Sequence, residues 1–232
     1  MWALIDCEYN GWTYDAGVLR TCSKPFDLAD LGNVYAHLSN HCINTRSDTY
    51  GEYEATNEMF YAEFERLLDG ARGAGALRAT VLPQVDAIVA HCFDAARESV
   101  EVRWRGTYGY VSGHRSFQIF GFDFMVTDAL DVKLIEINSS PAVAEQLLPQ
   151  FARDLKARAI DAALEPGDAP PAPLALGAKR DGFTLVYRAP RYDDAAVATD
   201  APPPAAEAAA NEPEGALPPP AATRDDDAPC SS

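Results

Sequence analysis

No stretch of this sequence approaches about 18 consecutive apolar residues, which excludes an ordinary membrane-spanning helix. Basic residues are scarce: 19 Lys and Arg stand against 35 Asp and Glu, a net charge of −16, which argues against nucleic acid as a partner. The five cysteines (Cys7, Cys22, Cys42, Cys92 and Cys230) make an odd count with no CxxC pair. That excludes a disulfide framework or zinc site of ordinary spacing and points to a reducing compartment. Met1-Trp2-Ala3-Leu4-Ile5-Asp6 turns acidic too soon for a signal peptide. There is no internal repeat and no nucleophile-elbow pattern, so His37, Ser39 and the aspartates do not suggest a triad. A cytoplasmic protein is the expectation.

Proline is also scarce until Pro166, from which point 13 of the 17 prolines lie, mixed with Ala, Asp and Glu. Such a segment buries too little apolar surface to offset its ordering entropy, so 166–232 reads as a mostly disordered Pro/Ala/acidic tail. One island, Gly182–Tyr187, alternates like a short strand, giving a candidate strand at 182–188. What remains, 1–165, reads as a single α+β domain. Apolar Trp2–Asp6 predicts a strand, and Tyr9-Asn10-Gly11 a turn. Trp12–Tyr14 with Gly17–Thr21 predicts the returning strand. A first strand starting at residue 2 is expected to be a bare sheet edge.

Two helices follow. Thr56 or Asn57 is the expected cap of the first, with Phe60, Phe64, Leu67 and Leu68 as its buried stripe. Thr80 is the expected cap of the second, which buries Leu82, Val85, Val89, Cys92 and Phe93. Arg97–Arg115 reads as a polar loop carrying Arg103, Arg105 and Arg115. Pro141–Ala163 reads as a closing helix.

Between the loop and that helix lie two strands, Phe117–Val126 and Val132–Asn138, joined by Thr127–Asp131 as a hairpin. With the turn centred on Ala129–Leu130, Asp123 faces Glu136, with Cβ atoms about 4.5–5.5 Å apart. Asn138, two residues on, shares their face. Two half-buried carboxylates so close must share a proton or bind a cation. Two carboxylates and an amide are oxygen ligands that suit Mg²⁺. The alternative is a solvated carboxylate pair on an open face. A register slip of one would send Glu136 to the other side.

Five segments occur in order: Gly17–Thr21, His37–Ile43, Asn57–Phe60, Phe120–Val126 and Leu134–Asn138. Together they resemble the tubulin–tyrosine ligase family over residues 2–165. His37–Ile43 with Asn57–Phe60 looks closer to tubulin–tyrosine ligase itself, whereas Ser139-Ser140-Pro141 looks more like the glutamylase branch. The resemblance implies an ATP-grasp-like C-terminal domain with an antiparallel sheet flanked by helices. It implies Asp123, Glu136 and Asn138 as Mg²⁺ and phosphate ligands, with K⁺ a further candidate cation. Arg20 would be the catalytic arginine near the γ-phosphate. His37, Leu38, Ser39 and Asn40 would lie along the ATP, and Ile135 would pack on the adenine side. Arg20 could equally be a surface residue, His37 a satisfied helix or loop histidine and Asn40 a turn cap.

The implied reaction joins free tyrosine to the α-tubulin C-terminal tail through an acyl phosphate. A glutamate or glycine ligase acting on tubulin side chains is the alternative, and a non-catalytic tubulin-binding remnant the rival. In that rival, Arg97, Arg103, Arg105 and Arg115, or Arg153, Lys156 and Arg158, face tubulin's acidic tail. A monomer associated with the cytoskeleton is expected. The family's nucleotide-holding lysines and an Asp–x–Arg strand would precede Trp2, so the resemblance implies an incomplete domain.

Overall fold

The computed structural model describes residues 1–6, 9–108, 116–161 and 174–189. All of these lie in one unit, Met1–Ala189. The expected tail at 166–232 falls outside the described residues, apart from 174–189. A six-stranded antiparallel sheet is built from β1 (Trp2–Ile5), β2 (Asn10–Tyr14), β5 (Gln118–Val126), β6 (Val132–Asn138), β7 (Lys179–Arg180) and β8 (Phe183–Arg188). Their order is β6-β5-β1-β2-β8-β7. A separate two-stranded ribbon pairs β3 (Val18–Arg20) with β4 (Glu58–Phe60). The helices are α1 (Val34–His37), α2 (His41–Asn44), α3 (Tyr61–Arg72), α4 (Leu82–Tyr108) and α5 (Leu148–Leu155). The architecture is α+β, with helices on both faces of a mainly antiparallel sheet.

The expected bare edge at β1 is corrected. β1 is interior, bonded to β5 on one side and β2 on the other, so its backbone groups are used on both sides. The run Trp2-Ala3-Leu4 is apolar because both faces are covered. Ala3 packs with Val85, Val89 and Phe93 of α4, whereas Trp2 and Leu4 pack with Phe151 of α5 and with Trp12, Tyr14, Phe183 and Leu185. Each such large side chain contributes roughly 1.5–3 kcal/mol by leaving water. Tyr14 adds geometry, meeting Phe151 edge-on at 5.0 Å and Phe183 at 4.9 Å between ring centroids.

Several local expectations fail for identifiable reasons. Asn57 and Thr56 do not cap α3; both sit at positive φ in a turn, and Glu58–Phe60 becomes β4. Phe60 is the cap position of α3, and no side chain caps it. Leu68 is buried, but Leu67 is 57% exposed and leaves the stripe. Thr80 does not cap α4, because a π-helical segment (Ala76–Val81) runs directly into it. Asp69 Oδ1 instead accepts the Gly75 and Ala76 N–H groups, at 2.9 and 3.2 Å. The polar stretch after Arg97 is not a loop as far as Tyr108; α4 carries through it. The closing helix begins later than Pro141: α5 starts at Leu148 and runs into a π-helical segment, Lys156–Asp161, beyond which 162–163 lie outside the described residues.

Candidate active site

The β5–β6 hairpin carries the carboxylates. Thr127 N donates to Asp131 O at 2.9 Å, and Leu130 takes a positive φ of 64°, closing a five-residue turn. Nearest the turn the pairs are Val126↔Val132, Met125↔Lys133 and Phe124↔Leu134. A bulge then leaves Ile135 without a partner, and the pairing resumes with Asp123↔Glu136, Phe122↔Ile137 and Gly121↔Asn138. The extra residue brings Glu136 opposite Asp123 and leaves Ile135 59% exposed beside it.

Asn138 Nδ2 donates to Asp123 Oδ2 at 3.4 Å and to Glu136 Oε1 at 3.3 Å. Two carboxylate oxygens thus converge on one donor. The pair is exposed rather than half-buried, because β6 is the edge strand and only Val132 of it is buried. By type the set fits a hard divalent cation, two exposed carboxylates and an amide on one face, although in this state the amide presents Nδ2 rather than Oδ1 to the carboxylates. Among the described residues no group of three or more His, Cys, Asp or Glu gathers for a metal.

The segment after Asn138 is held by residues whose role the motif pattern did not reveal. Gln118 Nε2 donates to Ser139 O at 2.7 Å, and Trp2 Nε1 to Ala142 O at 2.9 Å. Pro141 sits so close over Gly121 that a Cβ there would lie 2.7 Å from Pro141 Cβ. Gly121 is the strand partner of Asn138, so only a residue without a side chain lets Pro141 lie against this end of the hairpin.

Arg20 ends β3, opposite Glu58 in register, with Nε 4.0 Å from Glu58 Oε1 and its side chain 46% exposed. Burial pushes the Met1 amine from 8.0 down to about 6, with Asp123 pulling it up and Arg20 pushing it further down. His37, the last residue of α1, donates from Nε2 to Asp30 O at 2.9 Å, and its ring meets Phe26 edge-on at 5.2 Å. Leu38 and Asn40 are exposed and Ser39 is half-buried, between α1 and α2. Asn40 occupies the cap position of α2, but its side chain makes no capping bond.

The basic set offered for an acidic partner is also changed. Arg158 is buried, with Nη2 2.9 Å from Asp6 Oδ2 and its guanidinium 3.7 Å over the Trp12 ring. Lys156 pairs with Asp161 at 2.6 Å. Arg115 lies outside the described residues, as do the side chains of Arg103 and Arg105. Among the described residues, Cys22, Cys42 and Cys92 are free thiols, and no helix is long and apolar enough to cross a membrane.

The edge hairpin of an antiparallel sheet thus brings two exposed carboxylates and an amide together. The chain belongs to the Tubulin-tyrosine ligase family, whose family model matches residues 1–173. It is similar to Tubulin glycylase 3B of Tetrahymena thermophila, at 23% identity over 81% of this chain and 15% of that protein. It is similar to Tubulin polyglutamylase ttll-5 of Caenorhabditis elegans, at 25% identity over 57% of this chain and 19% of the relative. Tubulin monoglycylase TTLL3 of Mus musculus matches at 26% identity over 57% of this chain and 14% of its own length. The chain thus spans between 14% and 19% of the length of these relatives.

Proposed function

We propose that this chain is part of an ATP-grasp ligase that joins glycine or glutamate to tubulin side chains. The observation that carries the reading is the convergence of Asp123 and Glu136 on Asn138 across the edge hairpin. The amino acid follows from the relatives, which are named as glycylases and polyglutamylases. They favour glycine or glutamate over the tyrosine suggested by the His37–Ile43 motif. The catalytic part corresponds to residues 1–165, with β7 and β8 completing its sheet.

In this reading Asp123, Glu136 and Asn138 would hold Mg²⁺, which when bound would supply charge neutralisation and orientation for the transferring phosphoryl group. Arg20 would offset the charge that builds on the phosphoryl oxygens. Exposed Ile135 offers an apolar surface to the adenine, and Leu38–Asn40 run along the nucleotide. ATP gives its γ-phosphoryl group to a tubulin carboxylate. The amine of the incoming amino acid then attacks the acyl carbon, forming the amide and releasing phosphate, with ADP as the other product. A cytoplasmic, cytoskeleton-associated monomer is consistent with that role.

The test is incubation of the full-length protein with ATP, Mg²⁺, tubulin and labelled glycine, glutamate or tyrosine in turn. Label in tubulin from glycine or glutamate is the expected result. Label from tyrosine alone overturns the choice of amino acid. Tubulin binding without measurable nucleotide binding overturns the ligase reading in favour of a non-catalytic binder.

A further inference from the structure

Two amide side chains outside the proposed ligand set, Asn44 and Asn57, stand where the Arg20 strand and the Leu38–Asn40 segment meet. Both are buried. Asn44, the last residue of α2, uses both ends of its amide. Nδ2 donates to Leu38 O at 2.7 Å and to Asn40 O at 3.1 Å, and Oδ1 accepts the Ser23 N–H at 2.9 Å. Asn57 does the same from the turn before β4. Nδ2 donates to Thr21 O at 3.1 Å and Ser23 Oγ at 3.0 Å, and Oδ1 accepts the Gly51 N–H at 2.9 Å. Its backbone O also accepts the Thr21 N–H at 3.0 Å. Ser23 is the shared member: its N–H goes to Asn44, its Oγ to Asn57, and its carbonyl accepts Thr49 Oγ1 at 2.7 Å.

These bonds tie three stretches of backbone that carry little regular structure of their own. α1 and α2 are four residues each, and β3 has three. Helices and strands this short contribute little stability alone. Buried amides satisfied on both ends, in a low-dielectric setting, are costly to disturb and specify one arrangement.

We infer that Asn44 and Asn57 are positioning residues. Together they form a two-amide clamp that fixes Leu38–Asn40 relative to Arg20. The inference deepens the proposed function, because it rests on the reading that Leu38–Asn40 and Arg20 bind the same nucleotide. The clamp itself is a statement about mechanical coupling and can be tested without nucleotide.

The experiment compares the full chain with Asn44→Asp, Asn57→Asp and a core control, Val89→Ala, at a temperature well below every melting point. Each Asp variant keeps its side chain's acceptor and loses its two donated bonds. Amide hydrogen exchange is the first readout. Asn57→Asp, which gives up both bonds to the Thr21–Ser23 stretch, is expected to speed exchange at Thr21–Ser23 and also at residues 38–44, leaving β1 and β5 unchanged. Asn44→Asp, which loses its bonds to Leu38 and Asn40 and keeps the one from the Ser23 N–H, is expected to speed exchange at 38–44 and, through that retained bond, at Ser23 to a smaller degree. Exchange confined to the substituted segment overturns the clamp. If Asn44→Asp does not fold, Ser23→Ala removes one Asn57 contact and must show the same two-segment pattern at smaller amplitude. The second readout is the affinity for Mg²⁺–ATP. Asn44→Asp is expected to weaken it about tenfold, and Val89→Ala by less than about twofold. Equal weakening by both variants reduces the amides to general stability and overturns a positioning role. Wild-type protein that binds no nucleotide counts against the proposed function, while the exchange pattern still decides the clamp.

Discussion

Arg158→Ala should cost more stability than any surface substitution, although the residue reads as one of three cations in a basic cluster. The guanidinium is 9% exposed and its partner Asp6 is 11% exposed, at 2.9 Å. Removing one member of a buried pair typically costs about 3–5 kcal/mol. Asp6 retains other donors, however: Asn10 N at 2.9 Å, Trp12 Nε1 at 2.9 Å and Asn10 Nδ2 at 3.3 Å. The lost charge pair is therefore worth about 2 kcal/mol, below the full penalty. The stack over Trp12 at 3.7 Å adds about 1–2 kcal/mol for a desolvated cation–π contact. The sum, about 3–4 kcal/mol, lowers the melting temperature of a domain this size by roughly 10 °C. Thermal unfolding followed by circular dichroism measures it. Arg158→Met keeps the apolar stem and should recover about 1 kcal/mol. A loss within about 0.5 kcal/mol for Arg158→Ala would refute the reasoning. Loss of tubulin binding with an unchanged melting temperature would return Arg158 to the surface set.

Three further outcomes are expected. Burial pushes the Asp86 carboxyl above 3.8, while the Thr13 hydroxyl, donating at 2.9 Å, pulls it down. The folded form therefore takes up its proton first as pH falls, and this group opposes folding most above its folded pKa. Asp86→Asn should raise the melting temperature at neutral pH, and the gain should vanish near the ordinary carboxylate value. Gly182→Ala should cost about 1–2 kcal/mol in a denaturant titration, because φ is 73° and the new Cβ would lie 2.5 Å from the Asp154 oxygen that accepts Tyr14. Gly121→Ala should cost about 1–3 kcal/mol by forcing Pro141 off the hairpin, and should weaken Mg²⁺–nucleotide binding in the same titration.

The facing of Asp123 and Glu136 is expected from a turn centred on Ala129–Leu130, but the pairs nearest the turn, Val126↔Val132 to Phe124↔Leu134, centre it on Ala129. That register alone would set Ile135 opposite Asp123; the bulge, which the sequence does not reveal, absorbs Ile135 and restores Glu136 to the position. Exposure of the carboxylates was hidden because β6 is an edge only by virtue of the strand order, a non-local property. The same is true of β1: its apolar run signals burial on two faces, but its central place depends on β5, more than a hundred residues later. The helix past Arg97 was missed because polarity was read as loop, whereas Glu and Arg are good helix formers. Asn44 and Asn57 were not readable as a clamp, since their partners are mostly backbone groups contributed by separate turns.

The central claim is that the β5–β6 hairpin holds the metal, and the most direct measurement is Mn²⁺–nucleotide affinity, read by electron paramagnetic resonance, for wild type, Asp123→Ala and Glu136→Gln. Both side chains are exposed, so neither change should move the melting temperature appreciably. Loss of an outer partner of a metal ligand weakens binding about 10–100-fold, so loss of a ligand should weaken it at least as much. The account predicts weakened binding by both variants at unchanged stability. Variants that bind the Mn²⁺–nucleotide as tightly as wild type would contradict it and leave the carboxylates a solvated pair on an open face.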